Sequence, residues 1–175
     1  MIYSNFKKSE FYNFFFISKI SSKKIGVDLI KISLKTGGFQ EHIDLYIYID
    51  NNDVIKKAEL YLNRDWVGNT ESINPFGTDI TKSFIDLFLP KEYDPIFKKH
   101  LVHYLFNLRG DHQVVIPLHK AFQGFEGSSP EIQPFLDVYR NTKKKASKSL
   151  KDIVLNMENL IKNNKKLLFI EIKWK

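Results

Sequence analysis

The sequence predicts an α+β fold in which an antiparallel β-meander packs against about three helices. Two observations predict it: apolar and polar residues alternate through the first third of the chain, and segments with helical periodicity follow a loop. We expect 3–4 N-terminal strands, one central strand and one C-terminal strand. With 175 residues, 43% of them hydrophobic, the chain is expected to form a single domain over 1–175 with a well-packed core.

A β-hairpin from His42 to Asn63 forms the centre of the predicted sheet. Its apolar residues alternate with polar residues or tyrosines, and successive side chains on a strand point to opposite faces. The segment Asp50–Asp53 interrupts the pattern, because Asp and Asn tolerate left-handed backbone and hydrogen-bond to their own turns. With Asn51 and Asn52 as the loop, we expect three facing pairs: Ile49 with Val54, Leu45 with Ala58, and Ile43 with Leu60.

Two further strands are predicted ahead of this hairpin. The first runs from Phe11 to Ile20, since aromatic and β-branched residues fit a pleated surface. The alternative is a helix that starts at Ser9 and places Phe11, Phe14 and Phe15 on one side. Residues 21–24 are expected to form a polar break. A second alternating strand follows over 27–36, and Gly37-Gly38 turns the chain into the hairpin.

The second half of the chain is expected to supply the helices. Apolar spacing predicts helices near 79–89 and 94–109, with Thr78 or Asp79 capping the first and Asp94-Pro95 starting the second. Residues 134–163 are predicted to form a third helix. A helix that began at lysines 143–145 would place their charges at the positive end of its dipole, so we expect these lysines inside the longer helix or at a kink. Val114–Leu118 and Leu167–Trp174 are expected to be strands.

Composition limits the classes of function. The absence of cysteine excludes disulfides, thiolate zinc sites and cysteine nucleophiles. The formal charge of +7 suits a polyanion site, yet all but three of the 27 basic residues are lysine, which lacks the bidentate fork of arginine. We therefore prefer a solvated lysine surface. No stretch has the ~20 apolar residues of a membrane span, and we expect a soluble, cytoplasmic protein with no membrane contact.

The sequence offers little support for the familiar enzyme classes. It contains no glycine-rich phosphate loop, no GxSxG elbow and no HExxH motif. His100 and His103 lie three residues apart and would supply only two ligands, whereas a metal site needs three or four. We therefore expect no metal site and no cofactor. Glu171-Ile172-Lys173 resembles the acidic-x-Lys strand of the PD-(D/E)xK nucleases over three residues, and a plain alternating strand is the preferred interpretation.

The first functional hypothesis is a non-enzymatic binding or adaptor protein, whose partner is expected to be another protein. The loop 119–130 carries Phe122 and Phe125 among glycines and serines, and aromatic residues on such a loop suit a partner's pocket. Trp66, in the other long loop, is a third candidate contact. The second face of the central hairpin adds to this surface, because it is expected to carry Tyr46, Tyr48, Ile55 and Tyr61.

The alternative hypothesis is a nucleic-acid-binding protein or a ribonuclease that needs no metal. Lysines clustered along the chain would meet phosphates: Lys143, Lys144, Lys145, Lys148 and Lys151. His112 and His119 would act as an acid–base pair, with Arg109 or Lys120 holding the phosphate. Binding that falls steeply with salt would distinguish this hypothesis from the first.

Overall fold

The computed structural model describes residues 1–92, 94–107 and 130–175. The described residues form seven strands: β1 (Ser18–Ile25), β2 (Leu29–Lys35), β3 (Ile43–Ile49), β4 (Ile55–Asn63), β5 (Lys145–Leu150), β6 (Ile153–Lys162) and β7 (Lys165–Trp174). They also form six helices: α1 (Tyr3–Phe6), α2 (Glu10–Phe14), α3 (Arg64–Val67), α4 (Pro75–Phe88), α5 (Pro95–Asn107) and α6 (Gln133–Tyr139). The predicted α+β class with an antiparallel sheet is confirmed.

All seven strands belong to one antiparallel sheet with the order β1-β2-β3-β4-β7-β6-β5. The first four strands form the predicted meander, and the last three form a second meander that joins it through β4 and β7. The C-terminal strand therefore lies inside the sheet. Its apolar side is fully buried at Leu168, Ile170 and Ile172, which explains why this strand is so rich in isoleucine and leucine.

The central hairpin forms, but its register differs by two residues from the predicted one. Leu45 faces Leu60 and Ile43 faces Leu62, so the predicted pairs were wrong. The loop is longer than Asn51-Asn52 because the Asp50 carboxylate accepts hydrogen bonds from the backbone of the turn, and a bulge lies between Tyr48 and Ile49. A shift of two residues keeps the side chains from Lys57 to Leu62 on their predicted faces. The bulge moves Ile55, which was predicted to share the second face with the tyrosines, to the buried face opposite Ile49, where it is 1% exposed.

The N-terminal segment corrects the prediction of a strand over Phe11–Ile20. Residues 10–14 form α2, and the Ser9 hydroxyl caps it by accepting a hydrogen bond from the backbone N–H of Tyr12 at 3.2 Å. The alternative prediction, a helix that starts at Ser9, is confirmed. The strand begins only at Ser18 and includes the expected polar break at 21–24. Phe11 contacts the rings of Phe84 and Phe88 on α4, and this packing holds the helix in place.

The predicted helix over 134–163 was wrong for most of its length. Only α6 is helical, and β5 and β6 follow it. α6 ends at Tyr139, and Asn141, two residues later, has a left-handed φ of 64° that turns the chain away from the helix. The β6–β7 loop has two further left-handed residues, Asn163 and Asn164. Ile153, Val154 and Met157 were expected on one side of that helix, but the buried side of β6 is formed by Ile153, Leu155 and Met157, which are fully buried, and Val154 points to the other side.

The helices α4 and α5 are confirmed, and they lie on the same side of the sheet as its buried apolar residues. The first helix begins earlier than predicted, because Asn74 caps it and Pro75 occupies its first position. Asp94 caps α5 as expected, by accepting from the backbone N–H of Phe97 at 2.9 Å. The predicted strand Val114–Leu118 lies outside the described residues. None of the described helices is long and apolar enough to cross a membrane.

Candidate functional site

One face of the sheet lies against the helices, and the opposite face carries the most concentrated polar chemistry in the described part of the chain. Cross-strand partners share a face, so the register identifies its members. We call this surface the open face and define it by ten residues on five strands: Lys31, Tyr46, Tyr48, Lys57, Glu59, Tyr61, Asn156, Phe169, Glu171 and Lys173. The residues that alternate with them, such as Leu45 and Leu60, are fully buried.

Glu59 occupies the centre of the open face and is only 5% exposed. The Tyr48 hydroxyl donates a hydrogen bond to Glu59 Oε2 at 2.8 Å, and the Tyr61 hydroxyl donates to the same oxygen at 3.4 Å. Lys57 Nζ lies 2.6 Å from Glu59 Oε1. A buried carboxylate is tolerated only when it is paired and hydrogen-bonded, and here both of its oxygens have partners.

A second carboxylate, Glu171, lies directly across from Glu59 on β7. Like charges in this position destabilise a sheet, so the pair needs compensation. Lys57 supplies it, since its Nζ also lies 3.8 Å from Glu171 Oε2. Asn156 Nδ2 donates to Glu171 Oε1 at 2.9 Å from the next strand. One lysine and one amide therefore hold the two carboxylates in fixed positions.

Aromatic rings and lysines cover this acidic centre. Tyr61 contacts Tyr46 edge-on at 5.8 Å between ring centroids, and it contacts Phe169 at 4.7 Å. Lys31 Nζ lies 3.6 Å from the centre of the Tyr46 ring, a cation–π contact. Lys57 and Lys162 lie over the rings of Tyr48 and Tyr61 at 4.0 and 4.8 Å. The outer layer of the face is thus aromatic and basic, and the inner layer is acidic.

The environment of the open face changes the acidity of its tyrosines. Burial, followed by the hydrogen bond to Glu59, raises the pKa of Tyr48 far above its ordinary value. Burial and then the charge of Glu59 raise the pKa of Tyr61. Burial lowers the pKa of Lys31. At neutral pH both phenols are therefore protonated and act as hydrogen-bond donors.

Trp66, the predicted partner contact, lies on α3 in an aromatic cluster and not on the open face. Its ring stacks on His42 at 5.3 Å and contacts Phe39 and Phe76. Trp66 is half-buried, and the contact with Phe76 joins it to α4. This packing holds the ring in place, and a contact between Trp66 and a partner stays a prediction.

The five predicted phosphate-contacting lysines do not form one surface. Lys143 and Lys144 are exposed in the turn before β5, and Lys151 lies in the turn after it. Lys145 Nζ is 4.0 Å from Glu158 on the side of the open face. Lys148 faces the opposite side, where its Nζ lies 2.6 Å from Glu131 and 3.3 Å from Asp94. The helical arrangement that would have aligned them is absent because this segment is a strand.

Several predicted site residues lie outside the described residues: Arg109, His112, His119, Lys120, Phe122 and Phe125. Of the other histidines, His100 is half-buried and His103 is exposed, both on α5. No group of three or more His, Asp or Glu that could hold a metal ion occurs within residues 1–92, 94–107 and 130–175.

The sequence reasoning identified the tyrosines of the open face but missed its charged centre. Glu59 follows Lys57 with the strand period of two, and both lie on the same side as Tyr61. That signal was present in the sequence. The pairing of Glu59 with Glu171 was not, because it depends on the position of β7 beside β4.

Comparison with known proteins gives no relative for this chain. No protein-family model matches it, no curated protein is similar to it, and no solved structure matches it. The function is therefore inferred from the chemistry of the open face.

Proposed function

We propose that this chain is a non-enzymatic binding protein that holds a partner protein against the open face of its sheet. One observation carries the proposal: Tyr46, Tyr48 and Tyr61 surround a buried, fully paired carboxylate, Glu59, on the side of the sheet opposite the helices. Tyrosine is enriched at protein interfaces because it offers a large apolar ring with a polar end. The predicted contribution of Phe122 and Phe125 remains part of this proposal.

The charges of the open face favour a protein over a nucleic acid. Its lysines are interleaved with two carboxylates, Glu59 and Glu171, at the centre. Interfaces with nucleic acid are far more positive than this, and a phosphate chain laid across the face would meet both acids. A protein surface of mixed charge can match the basic outer layer and the polar centre together.

The hydrogen bonds of the face also favour binding over catalysis. Tyr48, Lys57 and Asn156 are already committed to the two carboxylates. A network with satisfied partners keeps its shape, so a partner that docks on it loses less conformational freedom of these side chains. The face thus presents a rigid template and not a set of groups free to exchange protons.

The experiment compares affinity capture by the wild-type chain with capture by a Lys31→Ala/Tyr46→Ala variant. The control is Lys7→Ala/Lys8→Ala, an exposed pair that follows α1, whose Phe6 packs on Phe88 of α4 on the helix side of the sheet. Captured proteins are then purified and titrated directly. We expect the first variant to weaken one such complex at least about tenfold and the control to bind as wild type. Thermal unfolding confirms that each variant is folded.

A partner that binds the face variant as tightly as the wild type would refute the proposal. Lys173→Glu provides a second variant on the face, since Lys173 is exposed and its replacement leaves the tyrosines in place. The same proteins are titrated with single-stranded RNA and DNA over a series of salt concentrations. Tight binding that falls steeply with salt would support the nucleic-acid alternative, and no detectable binding at low salt would remove it.

A further inference from the structure

β1 is an edge strand that the rest of the described chain leaves bare. All of its residues after the first are exposed, on both faces of the sheet. The side chains that point toward the helix side, such as Ser22 and Lys24, are as exposed as those on the open face. The helices therefore do not extend over β1, and the β1–β2 hairpin projects beyond the core.

The opposite edge of the sheet is protected. There β5 packs under α6, and its Ala146 and Leu150 are buried. Lys148 ties this strand to Glu131 and Asp94. An edge strand presents unpaired backbone N–H and C=O groups, and proteins usually cover or shorten such edges. The 8 residues of β1 make it long for an edge strand, and within the described residues β2 is its only strand partner.

Large apolar side chains are exposed along this edge. Ile20 is 61% exposed at a bulge in β1, Phe16 is 77% exposed just before the strand, and Val27 is 77% exposed in the turn after it. Single exposed apolar residues are ordinary, but these three lie within one short hairpin beside open backbone groups. They would gain burial from a strand placed alongside β1.

The charge of the hairpin selects the chemistry of such a strand. Lys19, Lys23 and Lys24 lie on β1 itself, and β2 adds Lys31 and Lys35. The single acidic residue between Phe16 and Lys35 is Asp28, in the turn, and it accepts a hydrogen bond from Asn51. A second copy of this edge would bring lysines against lysines, so self-pairing is disfavoured.

The geometry points to β1 as a docking edge for an extended acidic segment of a partner protein, which adds to the sheet as an eighth, antiparallel strand. The backbone of β1 supplies hydrogen bonds to the segment, as in other cases of strand addition. Adjacent acidic residues lie opposite Lys23 and Lys24, and an apolar residue of the segment covers Ile20. Lys23 pairs with Lys31, so this edge adjoins the open face. The two proposals remain distinguishable, because the edge binds through the backbone of β1 and the open face through side chains such as Tyr46.

The probe is a fluorescent peptide of the same length as β1, 8 residues, with two adjacent aspartates at its centre and valine or isoleucine on either side. Anisotropy titrations measure its binding to the whole chain. Two further peptides carry N-methyl groups on alternate residues, one on each parity. An added strand directs only alternate N–H groups at β1, so we expect one methylated peptide to bind normally and the other to lose binding.

The matched variants are Lys23→Glu/Lys24→Glu on β1 and Lys165→Glu/Lys166→Glu on β7, two exposed adjacent lysine pairs that are both on strands. We expect the first to weaken peptide binding at least about tenfold and the second to leave it unchanged. Because all four lysines are exposed, both variants should keep the wild-type unfolding temperature. A peptide with lysine in place of aspartate should not bind.

Several outcomes would overturn the inference. Equal binding of both methylated peptides would mean that the peptide is held by charge alone. A failure of the acidic peptide to bind at millimolar concentration would refute it directly. A concentration-dependent dimer that Ile20→Asp abolishes would make a second copy the occupant of the edge. RNA binding that is lost in the Lys23→Glu/Lys24→Glu variant, without peptide binding, would assign the edge to nucleic acid.

Discussion

The Tyr48 hydroxyl lies 2.8 Å from Glu59 Oε2, diagonally across the β3–β4 pair. This bond joins the two central strands through their side chains as well as their backbone. Tyr48 is 7% exposed and Glu59 is 5% exposed, so water replaces neither partner easily. A hydrogen bond to a buried charge is stronger than one between neutral groups. The pair therefore contributes to the stability of the sheet and fixes the centre of the open face.

Replacement of Tyr48 by Phe should lower the free energy of unfolding by about 1–3 kcal/mol, because it leaves Glu59 Oε2 without its closest donor. Tyr61→Phe should cost less, under about 1 kcal/mol, since that hydroxyl is 3.4 Å away and only part-buried. Chemical denaturation of both variants measures the difference. An equal cost for the two substitutions would contradict the assigned hydrogen-bond network.

The tyrosines of the fold should make the protein sensitive to alkaline pH. Burial raises the pKa values of Tyr48, Tyr61 and the fully buried Tyr139 above their ordinary value of 10.0. Above that pH the unfolded chain binds fewer protons at these sites than the folded chain. The free energy of unfolding should therefore fall as pH rises above 10.0, while these sites add no slope between pH 6 and 9.

Denaturation at a series of pH values measures this slope, and tyrosinate absorbance shows whether the buried phenols ionise only on unfolding. The Tyr48→Phe/Tyr61→Phe variant should show a shallower decline than the wild type. An unchanged slope in that variant would place the alkaline sensitivity elsewhere in the chain.

Substitution of Arg64, a buried side chain between the helices and the sheet, should destabilise the protein strongly. It is 4% exposed, and its guanidinium donates to the carbonyl oxygens of Gly68 and Tyr139 and to Asn159 Oδ1. These bonds join α3 to the end of α6 and to β6. Lysine cannot reproduce this fork, so Arg64→Lys should cost at least about 2 kcal/mol.

The matched control is Arg140→Lys at the C-cap of α6, where the side chain is only half-buried, and it should change stability by less than about 0.5 kcal/mol. Both are measured by urea denaturation at neutral pH. A small loss in Arg64→Lys would show that one amine can satisfy these acceptors, contrary to the expected role of the planar guanidinium.

Substitutions in the loop between β6 and β7 should change the free energy of unfolding according to how well each residue adopts the backbone conformation of the loop. Lys162 pairs with Lys165, which leaves Asn163 and Asn164 as a two-residue loop with φ values of 51° and 60°. This is the conformation of a type I′ turn, in which glycine is favoured at the second position. Asn164→Gly should raise the free energy of unfolding by about 0.5 kcal/mol, and Asn164→Val should lower it by about 1 kcal/mol or more.

Thermal and urea denaturation of the two variants check this order, with the wild type in between. A wild-type stability for Asn164→Val would show that the loop adopts another turn in solution. The prediction also tests the C-terminal hairpin itself, because a helix through this segment would favour valine over glycine.

The N-terminal and C-terminal segments show where sequence patterns were ambiguous. The aromatic residues at 11–16 suit a strand or a helix, and the packing of Phe11 against α4 decides for the helix. The apolar residues of 153–161 fit both the helical period and the strand period of two, and the position of β6 next to β7 decides for the strand. Short apolar segments do not settle this choice through their own periodicity.

By itself the sequence determined the alternating meander, the Asp94 cap of α5, and the tyrosines on the second face of the hairpin, because these depend on contacts between residues near in the chain. Tertiary structure alone decided the position of β7 beside β4, and with it the pairing of Glu59 with Glu171. It also decided that, among the residues the structure describes, one edge of the sheet is covered and the other is bare. Pairings between distant strands gain free energy only after the chain has closed a long loop, so no local pattern specifies them.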